Sequence, residues 1–142
     1  MLFKLLGGWL PVEVVIRRNG VHGGTGDRFA LPLAIALSIG HMGCASAGCC
    51  GSSACDAWWA WHGHVPVQLI KVLFHTTAAA VLAVAAWRGW ASSRRQAIYL
   101  TCCAILRFAL ETWRGNPPVA LGLTWCQFLA IALGLLAGGT WW

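Results

Sequence analysis

Four apolar stretches follow one another in this chain: Phe29–Gly48, Val65–Trp87, Gln96–Trp113 and Val119–Trp142. A bilayer core about 30 Å thick is crossed by roughly 20 apolar residues in helix, and these stretches have that length. Pro32 falls in the expected opening turn of the first, where proline is tolerated. Composition closes off the soluble alternative. Only 10% of the 142 residues are charged and 58% are hydrophobic. A soluble domain of this size carries about 25% charged residues to make its wetted surface. A soluble enzyme, a secreted disulfide mini-protein and a disordered tail are therefore excluded. The fold class expected is an all-α integral membrane protein, a bundle of about four transmembrane helices over residues 29–142. Residues 1–28 read as an interfacial or re-entrant N-terminal segment, because Gly7, Gly8 and Pro11 break Met1–Ile16 before it reaches a spanning length.

The basic residues act as topology signals rather than as a nucleic-acid surface, because they punctuate apolar segments and form no basic patch. Lys4, Arg17, Arg18 and Arg28 precede the first stretch, and Arg88, Arg94 and Arg95 separate the second from the third. Arg114 stands alone between the third and fourth. With four spans, the crowded side is cytoplasmic, both termini are cytoplasmic, and the Cys50–His64 loop faces outward. The expected location is the inner (cytoplasmic) membrane. Trp58, Trp59, Trp61, Trp87, Trp90, Trp113, Trp141 and Trp142 lie near the ends of apolar segments, where the amphipathic indole favours the membrane interface.

Ionisable side chains inside apolar spans are costly, so they mark functional interiors by default. Gln68, Lys71 and His75 fall on one helical stripe, and Cys103, Arg107, Glu111 and Arg114 on another. His41 and Cys44 sit one turn apart near the outward end of the first stretch. Turned together, these faces make an outward-opening polar pocket with more positive than negative charge, suited to an anion. In a membrane the abundant anion is a phospholipid phosphate, which arginine holds with its planar fork of donors. The bland alternatives are an intrahelical Arg107–Glu111 pair and a Lys71 side chain snorkelling to water.

Seven cysteines complete the inventory. Cys44, Cys49, Cys50 and Cys55 cluster near the outward end, followed by His62 and His64. Their spacing lacks the C-x2-C knuckles of a zinc site. Packing, a disulfide such as Cys49 or Cys50 with Cys55, metal or thiol-redox chemistry, and thiol participation in group transfer all remain open. No metal site and no cofactor is assigned.

Several segments resemble the prolipoprotein diacylglyceryl transferase family. The stretch Gly40-His41-Met42-Gly43-Cys44-Ala45-Ser46-Ala47-Gly48-Cys49-Cys50-Gly51 is similar to its glycine-rich signature, approached by Asp27 and Pro32. Pro66-Val67-Gln68-Leu69 resembles the family's His-Pro-x-Gln-Leu-Tyr-Glu box, and Arg107-Phe108-Ala109-Leu110-Glu111-Thr112-Trp113-Arg114 looks like its Arg-Phe-x-x-Glu-x-x-Arg. His22-Gly23-Gly24 resembles a His-Gly-Gly motif, and Gln127 a glutamine of the last helix. Departures are specific: His41 stands where the signature has arginine, and Val65, Ile70 and Lys71 replace the His, Tyr and Glu of the second motif.

The resemblance implies a membrane enzyme that moves a diacylglyceryl group from phosphatidylglycerol to a lipoprotein cysteine, releasing glycerol phosphate and forming a thioether. On that basis His41, Arg107, Glu111 and Arg114 are the expected catalytic residues. Gln68, Lys71, His75, His22 and Gln127 would contact substrate, and Cys44, Cys49 and Cys50 are candidate thiols. The expected partners are a phospholipid, the membrane and a lipoprotein or other thiol acceptor, with no nucleic acid. Two other readings stand beside it: a metal-handling or thiol-redox membrane protein using the Cys/His cluster, and a non-catalytic membrane partner subunit.

Overall fold

A computed structural model of the chain describes residues 15, 18–20, 25–48, 53–60, 63–91, 94–114, 116–117, 119 and 122–139. These form four helices: α1 (Thr25–Ser46), α2 (Val67–Trp87), α3 (Arg95–Glu111) and α4 (Trp125–Gly139). The described residues contain no strand; an isolated antiparallel bridge joins Ala54 to His64. The all-α class expected from sequence is therefore observed. Two helices, over Asp27–Ser46 and Val67–Trp87, are long and apolar enough to cross a bilayer. The other two are shorter, 17 residues for α3 and 15 for α4. At 1.5 Å per residue they measure about 26 and 23 Å, less than the hydrocarbon core.

Local chemistry sets the helix ends. Asp27 lies in the first turn of α1, where a carboxylate complements the helix dipole. Because α1 begins at Thr25, Pro32 lies inside the helix rather than in its opening turn, which corrects the sequence reading. The ring deprives the Arg28 carbonyl of its usual i+4 donor. At the far end of α2, the Trp90 N–H bonds the Ala85 carbonyl at 2.9 Å and the Gly89 N–H bonds that of Ala86 at 3.3 Å. This is a Schellman closure, and Gly89 supplies its left-handed residue at φ +70°. Helix α3 is capped from outside: Asp27 Oδ1 accepts the Gln96 N–H at 3.3 Å.

The fourth helix starts at Trp125, six residues later than the apolar run suggests. A turn precedes it, closed by the Val119 N–H on the Leu123 carbonyl at 2.9 Å, with Gly122 at φ +72°. The helix then opens on a capping box. Gln127 Oε1 accepts the Thr124 N–H at 2.9 Å, and Thr124 Oγ1 accepts the Gln127 N–H at 3.3 Å.

Helix α1 packs chiefly on α2, and α3 on α4. Ala30, Ala34, Leu82, Tyr99 and Cys103 form one core cluster with Leu37 and Phe74 around it. Ala104 and Leu133 form another between α3 and α4. Small residues dominate these seams, as expected where helices approach closely without a hydrophobic drive between them. A Cβ built on Gly134 would lie 3.7 Å from that of Ala104.

The outer surface is apolar. Phe29, Ile39, Leu73, Val81, Ile105, Trp125 and Leu135 are all exposed, while His41, Gln68, Lys71, His75, Glu111 and Gln127 are buried. Only 17% of the apolar window in α1 and 22% of that in α2 is buried. A core helix of a soluble protein would be mostly covered. Polar groups inside and apolar groups outside instead suit lipid as the surrounding solvent.

The contacts also define two ends. Asp27 meets Gln96 at one end, which holds Arg28, Arg88, Arg94 and Arg95. At the other end, Ser53 donates from its N–H and its hydroxyl to the Trp113 carbonyl, both at 2.9 Å. The Cys55 N–H bonds the Gly63 carbonyl and the Val65 N–H that of Ser53, so the segment before α2 is tied to the end of α3. Most of Met1–Ile16 lies outside the described residues.

Candidate functional site

Spacing on each helix decides which polar residues meet. Ser38 and His41, one turn apart on α1, face the Gln68–Lys71–His75 stripe of α2. Ser38 Oγ and Thr76 Oγ1 are 2.7 Å apart. Nδ1 of His41 lies 3.0 Å from Gln68 Oε1. An amide oxygen only accepts, so Nδ1 is the donor and, in the neutral ring, Nε2 keeps its lone pair. His75 stacks on His41, with ring centroids 5.4 Å apart and planes 4° from parallel. From α3, the Tyr99 hydroxyl reaches His75 Nδ1 at 2.8 Å. Phe74 meets the same ring edge-on at 5.1 Å. Three helices thus join through side chains of Gln68, His41, His75 and Tyr99.

Lys71 is 5% exposed. Its side chain is inside the bundle, so the snorkelling alternative does not hold. A second cluster lies between α3 and α4. Nη2 of Arg107 is 3.3 Å from Glu111 Oε2 and donates to Cys126 Sγ at 3.5 Å. Glu111, 2% exposed, also accepts from Asn116 Nδ2 and from Thr124 Oγ1, the latter at 3.4 Å. The Arg107–Glu111 pair is therefore more than a helix-surface ion pair, because three residues outside α3 close around it. The two clusters are neighbours: the charges of Lys71, Arg107 and Arg114 all act on the His41 ring.

The remaining expected site residues are distributed as follows. Cys44 is half-buried on α1, one turn beyond His41. Gln127 is buried, but its Oε1 is occupied by the start of α4. His22, Cys49 and Cys50 lie outside the described residues, as does His62. Cys55, offered as a disulfide partner, carries a free thiol, as do Cys102, Cys103 and Cys126. Among the described residues, no three His, Cys, Asp or Glu side chains gather to hold a metal.

Sequence reasoning passed over Tyr99, Asn116, Thr124 and Cys126. Two of them were signalled. Tyr99 extends the Cys103–Arg107–Glu111 stripe by one turn, and Thr124-x-x-Gln127 is a capping-box pattern. The partners of Asn116 and Cys126 depend on tertiary contact and leave no sequence mark.

Fold and site together define the class: a helical membrane protein that turns apolar faces outward and buries His41, Gln68, Lys71, His75 and Glu111 between its helices. Residues 5–142 match the prolipoprotein diacylglyceryl transferase family, and the chain belongs to it. That family consists of multi-pass bacterial inner-membrane transferases that modify lipoproteins with a diacylglyceryl group. No curated protein and no solved structure matches the chain.

Proposed function

We propose that this protein binds phosphatidylglycerol in an outward-facing polar pocket and transfers its diacylglyceryl group to a thiol. What supports this reading is that Lys71, Arg107 and Arg114 lie near enough for their charges to act on the buried His41 ring. In a low-dielectric interior, three cations against the carboxylate of Glu111 favour an anionic occupant. Arg107 and Arg114 hold the lipid phosphate, Lys71 adds charge, and Gln68 and His75 line the head-group region. His41 takes the role given to arginine in the family signature.

The step is a displacement at carbon. Nε2 of His41 removes the thiol proton, and the sulfur attacks the glyceryl carbon that carries the phosphate ester. The C–O bond breaks, its electron pair leaves with glycerol phosphate, and a thioether remains. Arginine stabilises the charge that builds on the departing phosphate. The acceptor thiol belongs to a lipoprotein cysteine, or to Cys44, Cys49 or Cys50 of this chain. The domain organisation proposed with it is an interfacial segment over 1–28 followed by one four-helix membrane domain over 29–142. Both termini are cytoplasmic, and α3 and α4 cross a locally thinned bilayer.

Incubating the purified protein with labelled phosphatidylglycerol and a cysteine-containing lipobox peptide tests this reading. We expect label on the peptide thiol, or on Cys44, Cys49 or Cys50, and its loss in Arg107→Ala. No transfer to any thiol, with phosphatidylglycerol bound equally by wild type and Arg107→Ala, would refute it.

A further inference from the structure

Among the described residues, the guanidinium of Arg107 is held through one corner, Nη2. Its Nη2 faces Glu111 Oε2 at 3.3 Å and donates to Cys126 Sγ at 3.5 Å. The Cys126 contact uses one hydrogen of Nη2, and the contact with Glu111 is an ion pair without hydrogen-bond geometry. The hydrogens on Nη1 and Nε are not used by any described residue, and they form the edge of the fork open to an anion.

What fixes that corner lies in the turn after α3. Oε1 of Glu111 accepts two donors, Asn116 Nδ2 and Thr124 Oγ1. Oε2 is fully buried and, among the described residues, makes no hydrogen bond and is paired with Arg107. A carboxylate with one oxygen anchored by two donors cannot rotate freely about its last bond. Its second oxygen is therefore aimed along α3 at the guanidinium. Thr124 is itself held, because its hydroxyl oxygen accepts the Gln127 N–H in the capping box that starts α4. The hydroxyl donates to Glu111 and accepts from Gln127, so both of its capacities are engaged.

We infer that Asn116 and Thr124 are positioning residues for Arg107, acting through Glu111, and that the turn between α3 and α4 thereby sets the direction of the open edge. This inference rests on the anion-binding reading above. It adds that the strength of anion binding is controlled by two neutral side chains that do not touch the anion. Helix α4 takes part twice, through Thr124 on the carboxylate and Cys126 on the guanidinium.

Two readouts on the full-length protein test it. The first is affinity for brominated phosphatidylglycerol, followed by quenching of tryptophan fluorescence in detergent micelles. Removing a hydrogen bond to a charged group should weaken binding about five- to tenfold in Asn116→Ala and in Thr124→Val. Thr124→Ser keeps the hydroxyl and should stay within about twofold of wild type. In an Arg107→Ala background, adding Asn116→Ala should change nothing further, because the residue acts only through the missing guanidinium. The second readout is the rate at which iodoacetamide alkylates Cys126, measured on its peptide by mass spectrometry. This rate should change by about twofold or more in Asn116→Ala as the guanidinium leaves the sulfur, and should stay at the wild-type value in Thr124→Ser.

Unchanged affinity and unchanged alkylation in Asn116→Ala would overturn the inference. So would an equal loss of affinity with and without Arg107. If wild type shows no preference for phosphatidylglycerol over phosphatidylcholine, the proposed function fails. The Cys126 rate then still decides whether Asn116 positions Arg107.

Discussion

Replacing Glu111 by Gln removes one charge and almost no volume. The carboxamide oxygen can keep the Asn116 and Thr124 donors, so its NH2 group must face Arg107 Nη2, now 3.3 Å away, donor against donor. Breaking a buried pair by removing one partner costs about 3–5 kcal/mol. Here the Arg107 side chain keeps 19% of its exposure, so partial solvation reduces the cost to about 2–3 kcal/mol. That is a thirtyfold or larger shift in the folding equilibrium. The assay is reversible unfolding in mixed micelles, titrated with a denaturing detergent. A paired control isolates the cause. In Arg107→Leu/Glu111→Leu both charges go, and a buried pair replaced by apolar residues is often close to neutral. The double variant should therefore be more stable than Glu111→Gln despite changing two residues. If Glu111→Gln unfolds with wild-type stability, or the double variant is the less stable of the two, Glu111 is not the charged hub described here.

Other expectations follow from the same geometry. His41→Gln removes the only proposed base and should lower the transfer rate about 10²–10⁴-fold with lipid binding reduced far less, read from single-turnover kinetics. Leu73 is exposed on the face of α2 away from the polar stripe, so Leu73→Arg should impair membrane insertion by about 2.5–3.5 kcal/mol in a glycosylation-based insertion assay. Gly89→Ala places a Cβ at φ +70°, costing about 1 kcal/mol of stability and little activity, measured by thermal unfolding in detergent.

The helices were legible because lipid demands long apolar runs, and the stripes because ionisable groups inside such runs are rare. Arg107, Glu111, Lys71 and His75 could be picked out on that ground alone, and Gln68 by sharing the stripe of Lys71 and His75. Boundaries were less legible where apolar residues also build turns. Val119–Leu123 is as hydrophobic as the helix it precedes, yet Gly122 and the Thr124–Gln127 box delay the start of α4. Pro32 appeared to mark a first turn because the residues before Phe29 are polar and glycine-rich, although α1 begins at Thr25. The site was legible helix by helix, but not across helices. Nothing in the spacing shows that His75 stacks on His41, that Tyr99 completes that line, or that Cys126 meets Arg107. Gln127 resembled a substrate contact, but half of its amide is used in starting a helix.

In the proposed mechanism a lipid phosphate is held beside His41 by Arg107 and Arg114, with Lys71 adding charge. A density map of the protein in phosphatidylglycerol-containing nanodiscs tests it most directly. Phosphodiester density is expected against the Nη1 and Nε edge of Arg107, with Arg114 and His41 nearby. An interior without phosphate, with Lys71 and Arg107 directed to opposite membrane surfaces, would contradict it.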